Sequence, residues 1–360
     1  MYIIYIATFL ISLGFTLGVL PWVIRLCYQH HLYDITNSRK LHHNNIPRLG
    51  GIVFFPALLF SGGIGGVLLI MMSQDIESIS LYSTILLIGA VLIYIVGVAD
   101  DLFELGARNK FIIQAISALA IPFCGLSVNN LYGLLGLYEL PLLVSYPLTI
   151  FVVLLIVNAM NLIDGIDGLS SSLTIVSLCF FALLYQLQDV SSYVVICFAL
   201  LGTIAVFIYY NVWGDPIKHT KTFMGDAGSL IIGYALAFFV IKFAMDSPKN
   251  IPSSELFLIS RANSLIISFS PIVIPIFDLI RVAFLRLFQR KGLFTPDKQH
   301  IHHLCMAKGF SMHQTLLLLL FSQMFIIAIT VLMCYLGINV NVIFAINLLL
   351  YVSLLLIKKT

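Results

Sequence analysis

Charge is scarce in this chain: 10% of its 360 residues are Asp, Glu, Lys or Arg, against 60% hydrophobic residues. With a mean hydropathy of +1.05, that scarcity excludes a soluble globular protein and points to an all-α polytopic membrane protein. Close cysteine pairs are also lacking. Cys27, Cys124, Cys179, Cys197, Cys305 and Cys334 are scattered, mostly in apolar runs, which excludes a thiolate metal site or a paired redox motif and leaves them as small packing residues. The start of the chain has no basic region and no small-residue cleavage site, so the first apolar run is expected to be a retained span. No internal repeat is present, and the longest polar gaps, about 26–49 and 288–313, are too short to fold alone. Residues 1–360 are therefore expected to form a single integral-membrane domain whose active site is built from short loops. A net charge of +3 gives no reason to expect a nucleic-acid partner.

What is abundant is apolar sequence. Crossing about 30 Å of hydrocarbon takes roughly twenty residues. Eleven runs approach that length, at about 2–25, 50–72, 82–99, 110–126, 141–158, 169–187, 191–211, 227–245, 264–287, 314–336 and 340–357. Between the fourth and fifth, Ser127–Leu140 carries Asn129, Asn130, several glycines, Tyr132 and Tyr138, the composition of a small interfacial hairpin. With eleven spans and the N-terminus outside, sixteen of the nineteen Lys and Arg residues fall on the cytoplasmic side, and only Lys242, Lys249 and Arg261 fall outside. This bias predicts a cytoplasmic C-terminus. All nine histidines fall on the same side, as do Asp100, Asp101 and Asp226, which predicts chemistry at the inner face.

Polar residues cluster in five places. Asn158, Asn161, Asp164 and Asp167 are spaced by three, with Gly165 and Gly168 after the two acids. On a continuous helix such steps drift around the axis, so the glycines imply that the helix ends or unwinds here. A plain polar turn is the simpler alternative. Asp100 and Asp101 end the third span, at the negative pole of a helix, where adjacent acids need a cation. That cation is either a divalent metal or a base such as Arg108 or Lys110. Phe223-Met224-Gly225-Asp226 opens the eighth span. There, exposed N–H groups attract phosphate and an aspartate can hold a metal, unless Asp226 is only an N-cap. Arg39-Lys40-Leu41-His42 with Pro47 through Gly51 offers cations and glycines, though cytoplasmic anchoring alone accounts for the cations. Pro296-Asp297-Lys298-Gln299-His300-Ile301-His302-His303 ends the set. Its three histidines suggest zinc, but no further ligand spacing supports it, and phosphate binding or proton transfer suits them as well. Hard oxygen donors without thiolates favour Mg²⁺ or Mn²⁺.

Taken in order, these motifs closely resemble those of the polyprenyl-phosphate N-acetylhexosamine-1-phosphate transferases, glycosyltransferase family 4, over nearly the whole chain. His300-Ile301-His302-His303-Leu304 looks like the branch using UDP-GlcNAc or a related UDP-HexNAc, rather than the peptidoglycan branch that handles phospho-MurNAc-pentapeptide. Eleven spans also look like the former, since the latter has ten. The resemblance implies a bacterial inner-membrane enzyme that transfers HexNAc-1-phosphate from a UDP-sugar to undecaprenyl phosphate, releasing UMP and initiating a lipid-linked surface polysaccharide of the O-antigen, common-antigen or teichoic-acid kind. It implies Mg²⁺, or Mn²⁺, on Asp226 and Asp101, and Phe223 near the uracil. Asn158, Asn161, Asp164 and Asp167 would line the nucleotide pocket. Lys40, His42, Asp100 and Asp101 would lie toward the lipid phosphate, with Asp100 a base or orienting group. His300 would be catalytic, and Lys298, His302 and His303 would contact the phosphates. The lipid bilayer is a partner, and a homodimer is left open. From another class, a secondary transporter also places polar residues between broken helices. Here, however, the charges gather at one face and the halves do not repeat.

Overall fold

The computed structural model describes residues 1–33, 46–73, 81–245, 261–292 and 298–357. Each of the eleven apolar runs is helical over most of its length. The helices are α1 (Tyr2–Gln29), α2 (Phe54–Ser73), α3 (Leu81–Phe103), α4 (Ala107–Ala118), α5 (Ala120–Phe123), α6 (Leu142–Ile163) and α7 (Leu169–Leu187). They continue with α8 (Ser191–Val212), α9 (Gly225–Met245), α10 (Arg261–Phe269), α11 (Val273–Phe288), α12 (Ile301–Ala307), α13 (Met312–Tyr335) and α14 (Val340–Leu356). Among the described residues, nine helical segments are long and apolar enough to cross a membrane. The two remaining runs are helical but broken or shorter. The fourth breaks into α4 and α5 at Leu119. Pro122 has no N–H to give the carbonyl of Ala118, and its ring crowds that carbonyl. The last, α14, has seventeen residues, short of the usual span.

The chain divides into two compact units. The first comprises Met1–Ser117 and Leu178–Ile232. In it α1 lies along α8 and α2. Lipid tails are as apolar as leucine, so small residues and buried hydroxyls must hold such helices together. Ser12 Oγ lies 2.8 Å from Thr203 Oγ1 and donates to the Ala199 carbonyl at 2.5 Å. Gly202 lets α8 come up against the Phe9 carbonyl, and Gly65 lets α2 come up against Thr8.

The second unit comprises Ala118–Ser177 and Gly233–Thr360. Here α6 packs on α11, and α9 meets α6 where Gly233 faces the backbone of Val157. Buried Gln323 donates from α13 to the Leu173 carbonyl at 2.9 Å, and Thr330 pairs with Asn347 of α14. The expected hairpin is present. Leu131 N–H donates to the Tyr138 carbonyl at 3.0 Å and Leu140 N–H to the Asn129 carbonyl at 2.8 Å. Asn341, in the first turn of α14, braces its tip by accepting from Leu135 N–H and donating to the Gly133 carbonyl.

Candidate functional site

In the first unit the acids at the end of α3 meet the start of α9. The first N–H groups of a helix have no partner within it and carry the positive pole of its dipole. Asp101 supplies both needs from outside. One carboxylate oxygen accepts from Asp226 N–H at 2.7 Å and the other from Ala227 N–H at 2.9 Å. The cap of α9 is thus Asp101, and Asp226 is left with its side chain turned to other work. The contact requires Gly225, whose φ is +67° and whose position would set any Cβ against the Arg48 carbonyl and the Asp101 carboxylate.

The second acid, Asp100, is answered by Lys110. The Lys110 ammonium lies 2.8 Å from Asp100 Oδ2 and 2.5 Å from Asp226 Oδ2, with all three side chains largely buried. Of the cations weighed from sequence, Lys110 is the one engaged here, while Arg108 is exposed. Two of the five sequence motifs also join by backbone pairing. Phe223 N–H donates to the Pro47 carbonyl at 2.8 Å, Gly50 N–H to the Phe223 carbonyl at 3.0 Å, and Gly51 N–H to the Met224 carbonyl at 2.9 Å. Phe223 itself is half-buried at the side of this cluster. Lys40 and His42 lie outside the described residues.

In the second unit α6 ends at Ile163 and α7 begins at Leu169, so the helix stops where the glycines implied. Asn158 and Asn161 sit half-buried near the end of α6, and Asn158 donates to the Leu154 carbonyl of its own helix. Asp164 leaves helical geometry at φ −76°, ψ 48°, and Gly168 takes φ +77° before α7 starts. Asp164 and Asp167 lie on the loop between, both half-buried.

The histidine motif packs on that loop. A Cβ at Gly165 would collide with the His302 imidazole, so the missing side chain is what admits the ring. His300 and His302 stack with centroids 6.0 Å apart and planes 5° apart, and His303 tilts against His302 at 4.2 Å. His302 is 1% exposed, and neither ring nitrogen has a hydrogen-bond partner among the described residues. Burial, with His303 and His300 alongside, pushes its pKa down to about 3, against a weaker opposing pull from Asp278, so the ring is neutral. His300 is also buried. Its Nδ1 lies 2.7 Å from Asp278 Oδ2 of α11, while its Nε2 has no partner among the described residues. Lys298 is exposed, and His303 is half-buried.

Asp278, with Arg281 and Tyr351 around it, escaped the reading of the sequence. The available signal was a lone carboxylate inside an apolar run with an arginine three residues on, a costly pair in a membrane helix.

Among the described residues no three His, Cys, Asp or Glu side chains converge as a metal site, which leaves a zinc centre on His300, His302 and His303 without a ligand set. The carboxylates of Asp100 and Asp226 share one cation already, the Lys110 ammonium. Mg²⁺ is commonly held by one or two carboxylates plus substrate phosphates, so this hard-oxygen donor set fits it.

Comparison with known proteins bears out the resemblance seen in the motifs. The sequence profile of glycosyl transferase family 4 matches residues 83–244. An Escherichia coli O157:H7 protein named undecaprenyl-phosphate alpha-N-acetylglucosaminyl 1-phosphate transferase is 32% identical over 92% of this chain and 84% of its own length. A Yersinia pestis protein of the same name is 33% identical over 80% of this chain and 73% of its own. A Bacillus subtilis protein named a probable undecaprenyl-phosphate N-acetylglucosaminyl 1-phosphate transferase is 29% identical over 90% and 83%. With its acids, its α9 start and its histidine motif arranged as above, the chain belongs to glycosyl transferase family 4.

Proposed function

We propose that this protein transfers HexNAc-1-phosphate, with GlcNAc as the sugar, from UDP-HexNAc to undecaprenyl phosphate. The reaction releases UMP and leaves undecaprenyl-pyrophosphoryl-HexNAc in the bilayer as the first intermediate of a lipid-linked surface polysaccharide. The observation that carries this reading is the pair of carboxylates, Asp100 and Asp226, drawn onto one ammonium beside the start of α9. Phosphoryl transfer needs little beyond positioning and charge neutralisation; this acidic cluster supplies the place for a cation, and the cation would offset the phosphates' charge. The names of the relatives support the same donor sugar and acceptor lipid.

In this reading an oxygen of the lipid phosphate attacks the sugar-bearing phosphorus in a single displacement. Asp100 orients the acceptor, and Lys110 offsets its charge. Asp226, across Lys110 from Asp100, would hold Mg²⁺, or Mn²⁺, with Asp101 bracing it from behind through the start of α9. When bound, the ion offsets negative charge on the pyrophosphate and the departing UMP. Phe223 stacks near the uracil. Asn158, Asn161, Asp164 and Asp167 grip the nucleotide, while His300, His302, His303 and Lys298 meet the phosphates. Lys40 and His42 serve the lipid phosphate. The whole chain acts as one domain in the bacterial inner membrane, with eleven spans, the N-terminus outside, and the chemistry and C-terminus at the cytoplasmic face. It works alone or as a homodimer.

The test is UMP release by the purified protein given undecaprenyl phosphate, Mg²⁺ and each of a panel of UDP-sugars. Lipid-dependent release with a UDP-HexNAc supports the reading. No such release with any UDP-HexNAc overturns it.

A further inference from the structure

Asp278 lies in the apolar run of α11, and its side chain is 2% exposed. A carboxylate buried at such a place is costly unless donors surround it. Oδ1 accepts from three donors: Arg281 Nη2 at 2.8 Å, Ile301 N–H at 3.0 Å and the Tyr351 hydroxyl at 3.1 Å. Oδ2 is paired with His300 Nδ1 at 2.7 Å. Arg281 in turn reaches the Gln299 carbonyl and donates from Nε to the Tyr351 hydroxyl at 3.0 Å. Three elements, α11, α14 and the segment leading into α12, therefore converge on one carboxylate. The His300 ring meets Asp278 of α11 and stacks on His302 of α12, with His303 against His302; Arg281 of α11 and Tyr351 of α14 reach the same Asp278 carboxylate.

The two ends of that ring are treated differently. Nδ1 is fastened to Asp278, whereas Nε2 is buried with no partner among the described residues. We propose that Asp278 is the positioning residue of His300: it accepts the Nδ1 proton, fixes the ring's tautomer and plane, and leaves Nε2 as the one nitrogen that meets the donor phosphates. When Nε2 takes a proton from water and donates it in a hydrogen bond to a phosphate oxygen, the carboxylate balances the charge on the ring. Ile301 N–H on the same carboxylate ties the start of α12 to this arrangement, so His302 and His303 follow from one anchor. The kinetic part of this proposal rests on the phosphate-transfer reading above; the tautomer part does not.

Two measurements test it. In the intact protein, ¹⁵N spectra of the histidine rings are expected to show His300 protonated at Nδ1 whether or not Nε2 also carries a proton. A neutral ring protonated at Nε2 alone overturns the proposal, and this outcome needs neither substrate nor a variant that folds. In the UMP-release assay, Asp278→Asn is expected to lower kcat/KM about 10- to 100-fold, the usual range for a group that acts by holding another. Added to His300→Ala, the same change is expected to cost less than about twofold more, because its effect passes through the ring. Losses that multiply would mean that Asp278 acts elsewhere and would overturn the proposal. If the wild-type protein releases no UMP, the reaction reading fails, while the ring spectra still decide the role of Asp278.

Discussion

The carboxylate cluster of the first unit and the histidine cluster of the second handle buried polarity in opposite ways. Around Asp100, Asp101 and Asp226 nearly every charge is answered: Asp101 by two N–H groups at the positive end of α9, and the other two by Lys110. Around His302 the polarity is left unanswered, since both its nitrogens lack partners among the described residues and the ring is held neutral by burial. A satisfied cluster is rigid. An unsatisfied one costs stability and is kept in place by its neighbours, a pattern that marks places where function is set against stability.

The contrast can be broken most forcefully at Asp226. Asp226→Asn keeps the shape and removes the charge, and it is expected to lower lipid-dependent UMP release by about 10² to 10³-fold, the usual effect of removing one preorganised charge-stabilising group. Its thermal midpoint should stay near that of the wild type. Turnover within a few-fold of normal would remove Asp226 from the chemistry.

Removing the answering cation is the next largest change. Lys110→Ala leaves two largely buried carboxylates facing one another, at a cost of about 3 kcal/mol. The midpoint of thermal unfolding should drop, and millimolar Mg²⁺ should recover more of it than in the wild type. Equal shifts with and without Mg²⁺ would show that the two carboxylates cannot share a divalent ion.

In the second unit, Gly165→Ala drives a methyl group into the His302 ring. A displacement of that size is expected to lower kcat/KM by about 10-fold or more. Gly106→Ala, which has open space around it, should leave activity unchanged and stability within about 0.5 kcal/mol. Equal behaviour of the two variants would remove the contact from the account.

The smallest effect is in the pH dependence. His302 resists its proton when folded and accepts it near pH 6.5 when unfolded. The unfolded state therefore gains protons first, and stability is expected to fall as pH drops from about 6.5 through about 3. His302→Phe should flatten that part of a thermal-unfolding profile. An unchanged profile would show that His302 does not carry the linkage.

Much of the fold was legible because membrane helices are written in one dimension, as runs of apolar residues of about the right length. The end of α6 at Ile163 and the hairpin at Ser127–Leu140 each left a local mark, a spaced set of glycines and a polar patch, whereas the stretch broken before Pro122 reads as one continuous run although its proline is in view. Pairings between distant residues left none. Sequence could offer Arg108 and Lys110 as equal partners for Asp100, but only the packing of α4 singles out Lys110. It left Asp226 as either a metal ligand or a helix cap, and only the fold shows that Asp101, 125 residues away, takes the cap. Asp278 was passed over because its meaning depends on His300, Ile301 and Tyr351, none of which is near it in the chain.

One consequence of the Asp101 contact is mechanical. With both carboxylate oxygens fastened to the first N–H groups of α9, and with Gly97 against the backbone of Ala227, the last turn of α3 and the first turn of α9 are clamped as a single lever. Asp226 and Asp100, neighbours across Lys110, are thereby carried on one rigid joint.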